Sequence, residues 1–283
     1  MPDRYAVWLD RDTVTASGPQ AASFLQGQLS QDVEALGAQE STWSLVLSPQ
    51  GKIDALVRVT RLSDEDWLID TDSGWGEELL QRLNRFKLRT KVEFAAVPWK
   101  VLGLRGPGST GSAVDGARVT VTAWPGVEGV DAIGPHLSLP EGWQEIDGWD
   151  YESVRILSGM PKMGAELDDR TIPAETGIVP LTVSFTKGCY TGQELVARVD
   201  SRGSNVPRRL RLMRLSGALP AGTELQAEGA PAGTVTSVAQ EAGGGWVALG
   251  YTKRGVDVPA SLVASPPDPD AGPVAVAVEE LAV

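Results

Sequence analysis

Lys187-Gly188-Cys189-Tyr190-Thr191-Gly192-Gln193-Glu194, running on into Leu195-Val196-Ala197-Arg198-Val199, is the most informative stretch of the chain. It holds the only cysteine among 283 residues. Gly188 and Gly192 bracket that cysteine, and good helix formers follow, so the stretch reads as a tight turn feeding a helix, with Thr191 as the N-cap. A thiol in that position is expected to be reactive. The partial positive charge of a helix N-terminus favours thiolate, and Lys187 pushes the same way. The alternative is a small residue buried in a packed turn, because free cysteine is among the most buried residue types. The residues alone leave both open.

The same residues reproduce the K-G-C-[FY]-x-G-Q-E signature of the YgfZ family, folate-binding proteins related to the glycine-cleavage T-protein, an aminomethyltransferase. Other segments resemble that family too. Phe24-Leu25-Gln26-Gly27-Gln28-Leu29-Ser30-Gln31-Asp32-Val33 matches its F-L-Q-G-Q block, and Arg155-Ile156-Leu157-Ser158-Gly159-Met160-Pro161 its R-[IV]-x-x-G-x-P motif. Trp124 to Asp131 corresponds to the T-protein segment whose last acid contacts the pterin ring, and Glu166 matches a family acid upstream of the signature. The resemblance implies an α+β fold of two interleaved antiparallel-sheet lobes over residues 1–205, with a small C-terminal β-barrel over 206–283. It implies tetrahydrofolate as the ligand, bound by Asp131, Arg155, Gln26, Gln28, Asp54 and Glu166. It implies a thiol site at Cys189 and Lys187, with Gly188, Tyr190, Gly192, Gln193 and Glu194. The implied role is assembly or repair of iron–sulfur clusters in client enzymes, with those clients or other assembly factors as partners, and with the chain a monomer.

Composition narrows the classes. Apolar content of 42% and charged content of 22% are ordinary for a globular chain. The apolar runs fall short of the roughly 18 residues a membrane span needs. Met1-Pro2-Asp3-Arg4 does not read as a signal peptide, and a lone cysteine suits a reducing compartment, so a cytoplasmic protein is expected. A net charge of −12 argues against direct nucleic-acid or anionic-membrane binding. Two basic runs, Arg82 to Lys91 and Arg198 to Arg214, read either as solvated faces or as local anion sites such as a polyglutamylated folate tail needs. One histidine and one cysteine are too few for a cysteine-ligated cluster, and no tightly bound metal is expected.

Along the chain, residues 4–16 read as one strand. Pro19 opens a helix that breaks at Leu25-Gln26-Gly27-Gln28. Strands over 43–47, 53–59 and 67–70, joined by turn residues, predict antiparallel pairing, and Ser73 is expected to cap the helix carrying Leu79, Leu83 and Phe86. Strands at 91–95 and 100–104 follow, broken at Pro98, then a strand over 117–123. Asp147 or Asp150 is expected to cap a helix through Leu157. After the linker Asn205-Val206-Pro207 the pattern turns to short strands with Gly-rich turns, a barrel or sandwich, with a Pro-rich loop at 265–273.

Two further activities are weighed against the family role. An aminomethyltransferase needs an acid beside the folate nitrogens. The T-protein's G-G-[IV]-x-D-D block has its nearest counterpart at Gly51 to Leu56, where Asp54 keeps the first acid and Ala55 stands at the second. That argues against transfer. A Cys–His hydrolase requires His136 to meet Cys189.

Overall fold

The structure is a computed structural model describing residues 2–203, 205–266 and 272–282. Asp10 divides the opening segment into β1 (Tyr5–Leu9) and β2 (Arg11–Ser17), which enter different sheets, so the single strand expected over 4–16 is corrected to two. Tyr5, Ala6 and Val7 are all buried, so β1 is covered on both faces. Helix α1 (Ala21–Gln28) runs through Gly27 and ends at Gln28, the last residue of the expected break, with Leu29 as its C-cap. Phe24 and Leu25 dock it on the core, which outweighs the roughly 1 kcal/mol that a mid-helix glycine costs.

A meander of β3 (Ser41–Leu47), β4 (Ile53–Arg61) and β5 (Asp66–Asp72) leads to α2 (Gly76–Lys87). Ser73 does not cap α2. The Asp12 carboxylate of β2 accepts from the Gly74 and Gly76 N–H groups at 2.9 and 2.8 Å, a cap supplied from across the chain. Then come β6 (Glu93–Val97), β7 (Lys100–Arg105), β8 (Arg118–Val121), β9 (Gly129–Gly134) and β10 (Gln144–Ile146). They build two five-stranded sheets, β10-β1-β7-β9-β8 and β3-β4-β5-β2-β6. All their pairings are antiparallel except β1 with β10. The chain passes from the first sheet to the second and back, which interleaves the lobes.

Helix α3 (Gly148–Leu157) is capped by Asp147, whose side chain accepts from the Asp150 N–H at 2.9 Å. A short 3₁₀ turn at Pro173–Glu175, α4 (Val179–Thr182) and α5 (Gln193–Ser201) complete the α+β region. From Arg208 the chain forms β11 (Arg208–Leu215), β12 (Glu224–Ala227), β13 (Ala230–Gln240), β14 (Trp246–Lys253), β15 (Ala260–Ala264) and β16 (Val274–Glu279). These close into a barrel around Met213, Leu225, Val235 and Val276, which removes every sheet edge. Part of the Pro-rich loop, 267–271, lies outside the described residues.

Candidate functional site

The signature turn is held to the end of α1. Lys187 Nζ donates to the carbonyl oxygens of Gln26, Leu29 and Gln31 at 2.7, 2.7 and 2.8 Å. Carbonyls at a helix C-terminus have no partner within the helix, and one ammonium carries three N–H groups to meet them. Burial pushes this ammonium down to about 8, with Asp32 and Glu34 opposing the shift, so it is still charged at neutral pH. The Thr191 N–H adds a bond to the Gly27 carbonyl at 3.0 Å, and Tyr190 is buried with Trp43, Leu45 and Leu47. Gly192 caps α5 in the left-handed region, in place of Thr191. A Cβ on Gly192 would stand 2.7 Å from the Ser48 carbonyl oxygen, so the close approach of the turn to the β3–β4 connection requires glycine.

The Lys187 ammonium is therefore tied to the end of α1 by all three of its N–H groups. Cys189 is exposed, ahead of the helix rather than on it. Gln193 and Glu194 form the first turn of α5. We expect iodoacetamide to alkylate Cys189 fully in native protein before any unfolding. Labelling that waits for denaturant would show the thiol to be packed.

A second feature lies between the sheets and α3. Trp43, Trp124 and Tyr151 form a row, with ring centroids 6.5 Å apart for the first pair and 5.7 Å for the nearly parallel second pair. Together with Trp8, Leu56 and Met160 they line a cleft of about 180 Å³. Its polar rim carries Asp10, Arg11, Asp72, Glu152, Arg155 and Lys162. Glu152 takes a forked contact from Arg155 at 3.0 and 2.6 Å. The Trp124 indole N–H is buried and has no hydrogen-bond partner among the described residues. Trp8 to Arg11 also line an outer trough of about 370 Å³ that adds Trp99 and Lys100.

Behind the cleft runs a buried chain of charges. Arg11 contacts Asp70 and Asp72; Arg58 contacts Asp70 and Asp131; Arg105 contacts Asp131 and donates to the Tyr151 hydroxyl at 2.8 Å. Asp131, expected as a pterin contact, is 2% exposed, and its two oxygens face two guanidiniums. Burial alone would raise this carboxyl. Arg105 and Arg58 outweigh that and hold it below its ordinary value. Burial likewise pushes the Tyr151 phenol up, against the opposing pull of Arg105.

The remaining expected ligands are spread over separate places. Glu166 is buried where α3 meets the barrel, accepting from Arg155 at 3.1 Å, Thr236 at 2.7 Å and Ser237 at 2.6 Å. Gln28 and Asp54 both hold Arg82, at 3.1 and 2.8 Å, and Gln26 bonds Asp32 and the Val33 N–H. Of the expected binding residues only Arg155 lines the cleft. His136 is exposed just after β9 of the first sheet, whereas the turn that carries Cys189 is held, through Thr191 and Gly192, to α1 and the β3–β4 turn of the second. Local sequence patterns do not bring the aromatic row together, because its members are scattered over 43–151. Nine tryptophans in the chain were the available signal. Among the described residues no group of His, Cys, Asp and Glu could hold a metal ion, and no helix is long and apolar enough to cross a membrane.

No family model matches the chain. It is 30% identical over 220 residues to the tRNA-modifying protein YgfZ of Yersinia pseudotuberculosis, covering 68% of this chain and 65% of that one. It is 28% identical over 212 residues to a mitochondrial iron–sulfur cluster assembly factor IBA57 homolog of Mycosarcoma maydis, covering 68% of this chain and 53% of the relative. The matched segments thus span about half to two thirds of these relatives' own lengths. The fold is that of the glycine cleavage system aminomethyltransferase T from Bartonella henselae, with a TM-score of 0.82 at 18% identity, over 99% of this chain and 86% of that one.

Proposed function

We propose that this chain, a member of the YgfZ and T-protein-like family, binds tetrahydrofolate in its aromatic cleft and supports the iron–sulfur clusters of client enzymes in the cytoplasm. The observation that carries the reading is the cleft itself. A pterin is flat, apolar on its faces and polar on its edges, and the row of Trp43, Trp124 and Tyr151 offers faces to stack on. The orphaned Trp124 N–H lacks an acceptor that a pterin oxygen or ring nitrogen supplies. Glu152 keeps lone pairs beyond its fork with Arg155 and suits the paired N–H edge of a 2-aminopyrimidinone. The outer trough leads the aminobenzoyl-glutamate tail past Trp8 toward Lys100, whose ammonium meets its carboxylates. Asp131 acts from behind, through Arg105 and the Tyr151 hydroxyl. When bound, tetrahydrofolate supplies secondary amines able to accept a one-carbon unit.

The names of the relatives supply the iron–sulfur part of the proposal, and the tRNA-modifying name fits a client enzyme that modifies tRNA, without this acidic chain touching nucleic acid. The exposed thiol on its pinned turn is then the group a client or assembly factor meets. Calorimetry with tetrahydrofolate should show one saturable site. Trp124→Ala and Glu152→Gln should each weaken it by about 1–3 kcal/mol. No binding at millimolar ligand would end the folate reading. In a strain lacking the protein, the wild type should restore iron–sulfur enzyme activity and folded Cys189→Ala should not. Equal rescue would remove the thiol from the function.

The fold neighbour keeps aminomethyl transfer as a second reading. What β4 places in the cleft, however, is Leu56, while Asp54 faces a groove with Arg82. Ammonia release from an aminomethylated carrier protein with tetrahydrofolate would favour transfer.

A further inference from the structure

The barrel carries a pocket separate from the aromatic cleft. Arg209 and Arg211 lie two residues apart on β11 and so share a face. Lys253 at the end of β14 and Arg254 just after it join them around a space of about 240 Å³. Asp257 and Glu280 complete the charged lining, so four cationic side chains stand against two carboxylates on a chain whose net charge is −12. A positive pocket on an acidic protein is not a by-product of overall charge.

Arg211 makes the pocket more than a basic surface. It is 8% exposed, and its Nε is buried without a hydrogen-bond partner among the described residues. Its guanidinium meets Glu280, which follows β16 and is 66% exposed. Burial, and after it repulsion from Arg209, push Arg211 below its ordinary value. Buried charges in proteins are normally paired, and here the Nε–H of the guanidinium lacks an acceptor among the described residues.

We propose that this barrel pocket is an oxyanion site for the phosphoryl group of a small phosphorylated ligand, with Arg211 as its buried donor. The planar guanidinium presents donors in the fork that phosphate accepts, and Lys253 and Arg254 add charge around it. A phosphoryl group fits better than a carboxylate. Glu280 already provides one carboxylate and leaves the pocket in positive excess. The space is below the roughly 300 Å³ at which drug-sized ligands begin, which suits a phosphate group with a small substituent.

The test is calorimetric titration of the full chain with inorganic phosphate and with glycerol 3-phosphate at constant ionic strength. Saturable one-to-one binding is expected, tighter for the ester if a small phosphorylated molecule is the natural ligand and equal if free phosphate is. Arg211→Met should weaken it at least tenfold. Glu280→Gln, which removes the competing carboxylate, should tighten it severalfold, while Glu279→Gln, the same charge change one residue away, should leave it unchanged. If Arg211→Met fails to fold, the exposed Lys253→Met serves and should weaken binding severalfold. Phosphate affinity that is undetectable, or equal in wild type and in these variants, overturns the site. Binding of tRNA, but of neither phosphate compound, in an Arg211-dependent way overturns the small-ligand assignment in favour of a nucleic-acid backbone.

Discussion

Asp131→Ala is expected to cost about 3–5 kcal/mol of folding stability, the range for removing one partner of a buried ion pair. Arg58 and Arg105 are each 1% exposed, and the substitution leaves both facing a cavity with one carboxylate fewer between them. Domain stabilities run from about 5 to 15 kcal/mol, so much of the protein should be unfolded or insoluble on expression. Asp131→Asn keeps the shape and one acceptor but not the charge, and should fall between Ala and wild type. Urea unfolding followed by tryptophan fluorescence measures all three. A midpoint for Asp131→Ala close to wild type would mean that water or rearrangement compensates the arginines, and the network would lose its structural role. The pH dependence has a defined sign. The folded Asp131 carboxyl titrates below its ordinary value near 3.8, so its contribution is fully present above that pH. It is lost only as pH falls through the lower folded value.

Lys187→Ala is the second large effect, at about 2–4 kcal/mol, because three carbonyls lose a charged donor and an unsatisfied buried polar group costs about 1–3 kcal/mol. The sum is held down by water reaching the carbonyls of Gln26 and Gln31, whose residues are half-buried. Arginine should not rescue. Three acceptors converge on one point, which suits the tetrahedral ammonium and not a planar fork. Hydrogen exchange should speed up at residues 26–31 and 184–192 together, since the amine is their common anchor. Cys189→Ala, by contrast, removes an exposed group and should stay within about 0.5 kcal/mol of wild type. If the two variants proved equally stable, the lysine would not be the clamp described above.

That contrast separates the two contents of the signature. Lys187, Tyr190 and Gly192 serve the packing of the turn, and Cys189 is the residue the packing leaves exposed. A lysine and a cysteine two apart suggest an activated thiol when read along the chain. Only the fold shows the ammonium turned toward α1. The caps behave in the same way. Asp147 was legible because its partner, the Asp150 N–H, is three residues away. The cap of α2 was not, because Asp12 reaches it from β2.

By itself the sequence determined the α+β class, the helices carried by local apolar spacing, the run of short strands after Pro207 and the family signature, since each rests on residues close in the chain. The tertiary structure decided the cleft and the buried charges. Trp43, Trp124 and Tyr151 come from a strand of one sheet, a turn and a helix, and Arg58, Arg105 and Asp131 from strands of two sheets. Alternation along a strand says that Asp131 points to one face. It does not say that two guanidiniums wait there, and their desolvated charge holds the carboxylate between them.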